Sequence, residues 1–302
     1  MKIPCKGAKY IHVYDPQPDV FDGPDTNRFR AGERYDKWVP NDFSIIYDGV
    51  CWHLFGITHP CPPEFIDSDS RFDDVHEGEW QLFHAISTGS TLKESLKPGG
   101  FRQVDQVLTA AKRPDERKDI WAPIIWKRND TYTMIYSPNP FRRAVSDNLL
   151  HWTPKGTLFH TDDQSARDPN IMEKDGIYHL VYLKGNDLYA RESRDLCCFG
   201  DERLIFTGRA HVSLESPILK YIDGCYYLLY CVYDGRDQVN GYYDNRTYVH
   251  AAPTLDALNG SPCVATFDAH APELFQDEDG DWYLASAEWP HRGISIMPIH
   301  WV

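Results

Sequence analysis

Five segments of the chain open alike, yet the residues at two equivalent positions differ in a way that suits chemistry. Asn41-Asp42-Phe43, Trp121-Ala122-Pro123, Arg167-Asp168-Pro169, Glu215-Ser216-Pro217 and His270-Ala271-Pro272 each lead into a hydrophobic stretch. The middle position reads Asp, Ala, Asp, Ser, Ala, and the first reads Asn, Trp, Arg, Glu, His. Residues serving only a scaffold would recur in every copy; these do not, and they include two aspartates and a glutamate. Three carboxylates drawn together repel one another, which raises the pKa of at least one. Such a set supplies a proton donor and a base or nucleophile, the pair that cleavage of a glycosidic bond requires. Asp42, Asp168 and Glu215 are therefore the candidate catalytic residues. Asn41, Trp121, Arg167 and His270 are candidate substrate contacts, and no metal-ligand set is assigned.

Each has a plainer alternative. Asp42 and Asp168 are turn formers in their own right, whereas Glu215, a poor strand and turn residue, is harder to explain that way. Arg167 can pair with Asp168 or present its fork to sugar hydroxyls. His270 can be a structural group bonded to backbone. Trp52, Trp121 and Trp289 are candidate stacking platforms for a sugar ring, and Glu273 and Glu288 read as structural or rim residues.

The elements that must position these residues follow from the repeat. Pro123, Pro169, Pro217 and Pro272 are 46, 48 and 55 residues apart, while Phe43 to Pro123 spans 80 and so contains an insertion. Each segment continues through a strand and a polar turn, Asp48-Gly49, Asn129-Asp130, Asp175-Gly176, Asp223-Gly224 or Asp279-Gly280, into a second strand of alternating aromatic and aliphatic residues. Asp-Gly between alternating runs signals a tight hairpin. Ser146, Leu149 and Trp152 recur 47 residues later as Ser193, Leu196 and Phe199, which marks a third strand and its exit turn. A period of this length means one supersecondary unit copied around a ring or along an array. The expected fold is all-β, a five-bladed β-propeller of four-stranded antiparallel blades spanning residues 1–302 as a single domain. Tyr10–Tyr14 and Ile294–Ile299, both strand-like, would close the ring in the last blade. Phe101, Val104, Val107, Leu108 and Ala111 fit helix or strand equally. In a propeller the first strand of each blade lines the axis, so the variable positions would share one funnel.

Composition narrows the partners. The 302 residues carry 31 Lys and Arg against 45 Asp and Glu, a net charge of −14. An acidic surface repels phosphate backbones, so nucleic acid is excluded as an expected partner. No apolar run approaches the roughly 18 residues of a membrane span, and no membrane partner is expected. The eight cysteines contain no Cys-x-x-Cys pair and read as reduced thiols. The expected location is cytoplasmic for the chain as given, or secreted or periplasmic if a signal peptide has been removed. No Gly-rich phosphate cradle, Gly-x-Ser-x-Gly elbow or His-Glu-x-x-His pair is present, and no cofactor is expected to be required.

From Asn41 to the C-terminus the motifs resemble the five-bladed propeller glycoside hydrolases of family 43, the arabinanase and xylosidase type, and family 32, the invertase type. Asn41-Asp42 resembles their first-blade segment with the base or nucleophile, Arg167-Asp168-Pro169 the segment whose Asp tunes the acid, and Glu215-Ser216-Pro217-Ile218-Leu219 the segment with the general acid. Trp121-Ala122-Pro123-Ile124 resembles the second-blade signature of family 43, while Arg167 beside Asp168 leans to family 32. Phe43 stands where these families usually place Pro, and Ser216 where they place Gly or Cys. The resemblance implies a glycosidase acting on oligosaccharides, with a channel calcium ion near His270 as in some family 43 members. The Pro60–Gly78 and Val232–Tyr248 segments would narrow the pocket and favour exo-action. A carbohydrate-binding propeller without catalysis is the alternative, suggested by Phe43 and Ser216; a protein-interaction propeller is a third class, in which axial carboxylates would have no purpose.

Overall fold

Each X-Pro step opens a blade by bending its first strand. In the computed structural model, which describes residues 1–61, 78–105, 107–109, 117, 119–209, 212–233, 246–287 and 293–302, Ala122, Asp168, Ser216 and Ala271 take φ of 43°, 58°, 49° and 41°. These are left-handed conformations that cost a non-glycine residue roughly 1–2 kcal/mol. Pairing with the second strand slips at the same place, between Arg167 and Asn170 in one blade and between Glu215 and Ile218 in the next. Proline, lacking an N–H, suits such a bulge, and bulges re-aim the side chains beside them. Blade 1 slips between Pro40 and Phe43 without a left-handed Asp42.

Five antiparallel blades follow, four of them four-stranded and the last completed by two short N-terminal strands. Blade 1 is Trp38–Tyr47, Trp52–Pro60, Gln81–Ser87 and Phe101–Val104; blade 2 is Trp121–Arg128, Thr131–Ser137, Phe141–Ser146 and Thr153–Phe159. Blade 3 is Arg167–Lys174, Ile177–Lys184, Asp187–Ser193 and Arg203–Thr207; blade 4 is Ser213–Ile222, Cys225–Tyr233, Arg246–Ala252 and Cys263–Asp268. Blade 5 pairs Glu273–Gln276, Trp282–Ala287 and Ile294–Trp301, and the N-terminus completes it. Ile11–Tyr14 pairs with one half of the C-terminal strand and Pro4–Lys6 with the other, so both chain ends close the ring. The ambiguous Phe101 stretch resolves as strand over Phe101–Val104.

The Asp-Gly hairpins of blades 3 and 4 are the tight turns their residues predict, whereas blades 1 and 5 turn through the longer loops 48–51 and 277–281. Asp175-Gly176 and Asp223-Gly224 hold positive φ at both positions, as a turn matching strand twist requires. Ser146 Oγ accepts from the Leu149 amide at 2.9 Å and Ser193 Oγ from the Leu196 amide at 3.0 Å, which accounts for the 47-residue echo.

The core lies between blades. Because side chains alternate across a strand, Ile124 packs toward blade 3 and Ile125 toward blade 1, while Leu228 faces blade 3 and Leu229 blade 5. Trp52 belongs to this packing: it is 3% exposed, stacks on Tyr47 and donates to Glu278 Oε2, so it is no sugar platform. The run Asp277-Glu278-Asp279-Gly280-Asp281 has alternating aspartates, and all three hold the ammonium of Lys93 from blade 1, at 3.5, 2.7 and 2.8 Å. This clasp joins the last blade to the first. No helix among the described residues is long and apolar enough to cross a membrane.

Candidate active site

The first strands of adjacent blades pack around the axis, and those of blades 1, 3 and 4 deliver Asp42, Asp168 and Glu215 to one pocket of about 250 Å³. Asn41, Ile57, Glu79, Trp121, Ser165 and Arg167 complete its lining. The carboxylates are tied together by two neighbours. Ser216 donates from Oγ to Asp42 Oδ1 at 2.5 Å and from its backbone N to Asp168 Oδ2 at 3.1 Å. The guanidinium of Arg167 lies with Nη2 3.3 Å from Glu215 Oε1 and Nε 3.6 Å from Asp168 Oδ2. His270 places Nε2 3.7 Å from the other Glu215 oxygen. Behind the pocket, the Asp168 amide donates to Ser137 Oγ at 3.2 Å, anchoring blade 3 to blade 2.

Burial and mutual repulsion set the electrostatics. Asp168, 4% exposed, is pushed up to about 8, first by burial and then by the charge of Asp42, with Arg167 opposing. Burial also raises Asp42, against the favourable pull of His270 and the Ser216 hydroxyl. The two aspartates share an environment that holds a proton at neutral pH. Beneath them a cavity of about 20 Å³, room for about one water, is lined by Asp42, Asp168, Ser216 and Glu273 among others. Burial pushes Glu273 up as well, with Lys220 opposing.

The candidate contacts occupy different places. Asn41 and Trp121 line the pocket, and Asn41 Oδ1 and Trp121 Nε1 are buried atoms with no hydrogen-bond partner among the described residues. Arg167 lines it too, but its fork is engaged by two carboxylates. His270 stands against Glu215 rather than among the pocket's lining residues. Trp289, Glu288, residues 62–77 of the Pro60–Gly78 segment and residues 234–245 of the Val232–Tyr248 segment lie outside the described residues.

Two residues entered the site without a sequence signal. Glu79, 3% exposed, adds a fourth carboxylate beyond the blade 1 insertion, where no repeat position marks it. Cys231 pairs with Glu215 in the blade 4 hairpin and directs Sγ at the Glu215 carbonyl, 3.5 Å away. Counting outward from the Asp223-Gly224 turn sets Cys231 opposite Ser216, and the bulge shifts it to Glu215.

Around His270 three side-chain donors converge among the described residues, the Glu215 carboxylate, the Cys231 thiol and the His270 imidazole. No chemical step is assigned to calcium.

No protein-family model matches the sequence, and no curated protein matches it. Solved structures do share its fold. An endo-arabinase from Bacteroides thetaiotaomicron is 15% identical with a TM-score of 0.64, covering 87% of this chain and 94% of its own. An exo-1,5-α-L-arabinanase from a bovine ruminal metagenomic library is 15% identical, TM-score 0.62, covering 86% and 92%. The GH43_1 enzyme from Xanthomonas citri, complexed with xylotriose, is 14% identical, TM-score 0.60, covering 86% of each chain. At such identities the likeness is one of fold: this chain is an all-β five-bladed propeller built like these arabinanases and this family 43 enzyme.

Proposed function

We propose that the protein is a glycoside hydrolase acting on oligosaccharides, with Glu215 as general acid, Asp42 as base or nucleophile and Asp168 as the residue that sets their charge. One observation carries this reading: carboxylates from three separate blades meet in one pocket, two of them bridged by Arg167. Glu215 protonates the departing glycosidic oxygen while Asp42, aligned by the Ser216 hydroxyl, activates water or attacks the sugar. Negative charge at Asp168 steadies the positive charge that builds on the ring. Asn41 and Trp121 carry the polar atoms left to meet sugar hydroxyls. A volume of about 250 Å³ falls below the roughly 300–1,000 Å³ of sites for drug-sized ligands and favours exo-action on a chain end.

Turnover on a panel of aryl arabinosides and xylosides, compared with Asp42→Asn and Glu215→Gln, tests the proposal. Hydrolysis lost in Asp42→Asn on every substrate, and in Glu215→Gln on those with poor leaving groups, supports it. Sugar binding without turnover in the parent protein replaces it with the binding-propeller alternative. Release of internal fragments without monosaccharide from linear oligosaccharides refutes the exo assignment.

A further inference from the structure

Away from the axis, the hairpin turn of blade 1 gathers three side chains of different donor type. Asp48 lies six residues beyond Asp42 on an extended strand, about 20 Å along it. Cys51 Sγ is 3.3 Å from His53 Nε2, His53 Nε2 is 3.2 Å from Asp48 Oδ2, and Asp48 Oδ2 is 3.9 Å from Cys51 Sγ. We propose that Asp48, Cys51 and His53 form a tetrahedral site for a zinc-type divalent ion, with a fourth position open to water.

The distances support it. Tetrahedral zinc with bonds of about 2.3 Å to sulfur and 2.0–2.2 Å to nitrogen and oxygen separates its ligand atoms by about 3.3–3.6 Å. Each observed edge lies within a few tenths of an ångström of that range, so an ion fits with small side-chain adjustments. The donor set is a thiolate, an imidazole and a carboxylate, which selects zinc or cobalt over calcium or magnesium. The two anionic ligands also balance a divalent charge.

An outer layer holds the ligands in place. Asp48 Oδ1 accepts the amides of Val50 and Cys51 at 2.6 and 2.8 Å, leaving Oδ2 to the cluster. His53, 3% exposed, has Nδ1 2.8 Å from Nε2 of His84, itself 2% exposed and stacked 4.1 Å from Phe55. A second group on the far nitrogen is the arrangement that orients metal-bound histidines. A metal on His53 Nε2 would leave the ring proton on Nδ1, where His84 Nε2 accepts it. Asp48 and Cys51 are partly exposed, which provides an entry path and the water position. On binding, the Cys51 thiol releases its proton to solvent and no oxidation state changes.

Chelator-stripped full-length protein is titrated with Zn²⁺ alone by calorimetry, and with Co²⁺ while recording its absorption. One equivalent should bind, and cobalt should show tetrahedral visible bands with a near-ultraviolet thiolate charge-transfer band. Asp48→Asn and Cys51→Ser, at partly exposed positions, should each weaken Zn²⁺ binding by more than about tenfold, and Cys51→Ser should abolish the charge-transfer band. Melting curves of metal-free variants verify that both fold. Absence of stoichiometric binding, binding unchanged in Cys51→Ser, or a band lost instead in Cys231→Ser would each overturn the assignment.

Discussion

The hydroxyl of Ser216 donates to Asp42 Oδ1 at 2.5 Å across the axis, while the amide of the same residue donates to Asp168 Oδ2. Ser216 therefore couples carboxylates from two other blades, and its left-handed φ of 49° is the conformation in which it does so. Strain of this kind persists where surrounding structure imposes it, often at functional sites.

Replacing Ser216 separates the two effects. Ser216→Ala keeps the strain and loses the Asp42 bond; Ser216→Gly loses the same bond but relieves about 1 kcal/mol of strain. Turnover should fall about tenfold or more in both with KM little changed, while only the glycine variant matches or exceeds the parent melting temperature. Equal turnover in all three proteins would show that the hydroxyl does not orient the base.

Removing the acid should matter according to the leaving group. Glu215→Gln should lower turnover by roughly 10² to 10⁴ on glycosides with poor leaving groups, and far less on dinitrophenyl glycosides, which depart without a proton. Asp42→Asn should be slow on both. A uniform loss across leaving groups in Glu215→Gln would reassign the proton donor.

Stability should record the raised pKa of Asp168. Its folded value, about 8, lies above the ordinary carboxylate value, so unfolding releases a proton between those limits. Stability therefore declines as pH rises from about 4 toward 8, and burial of the charge costs most above that window. Asp168→Asn should melt several degrees above the parent at pH 8 and approach it near pH 4, as read by thermal denaturation across the range. A gap that widens toward low pH would reverse the sign and contradict the assignment.

How much of this was legible in sequence depended on whether a residue's role is local. The X-Pro steps and Asp-Gly turns signal their backbone conformations directly, so blade starts, hairpins and the all-β ring were readable. Asp42, Asp168 and Glu215 were placed because repeats convert distance along the chain into proximity around an axis. Ser216, read as a departure from pattern, acts through an inter-blade bond that no local propensity encodes. Glu79 lies outside the repeat, and the loss of Trp52 to the core follows from Tyr47 and Phe275 on either side of it. The cysteine spacing hid Asp48, Cys51 and His53 because a hairpin turn, rather than a Cys-x-x-Cys loop, brings them together. The Asp277–Asp281 run has cation-loop spacing, yet its cation is Lys93.

The closure of the ring rests on Tyr14, and a single substitution can weigh it. Val13 and Tyr14 reach from the N-terminal strand of blade 5 into the core shared with blade 1. The Tyr14 ring stacks on Phe83 with centroids 4.9 Å apart, and its hydroxyl donates to Gln103 Oε1 at 3.0 Å. It is 1% exposed, so truncation leaves a cavity as well as losing transfer energy. Tyr14→Ala should destabilise the protein by about 3–5 kcal/mol, whereas Tyr14→Phe, which loses only the hydrogen bond, should cost about 1 kcal/mol. Chemical denaturation of the three proteins measures both differences. If the N-terminal strand were merely laid against the blade, Tyr14→Ala would cost no more than Tyr14→Phe. If instead it completes the ring, the alanine variant should also expose the free edge of Ile294–Trp301 and speed amide exchange there, with blade 3 unaffected.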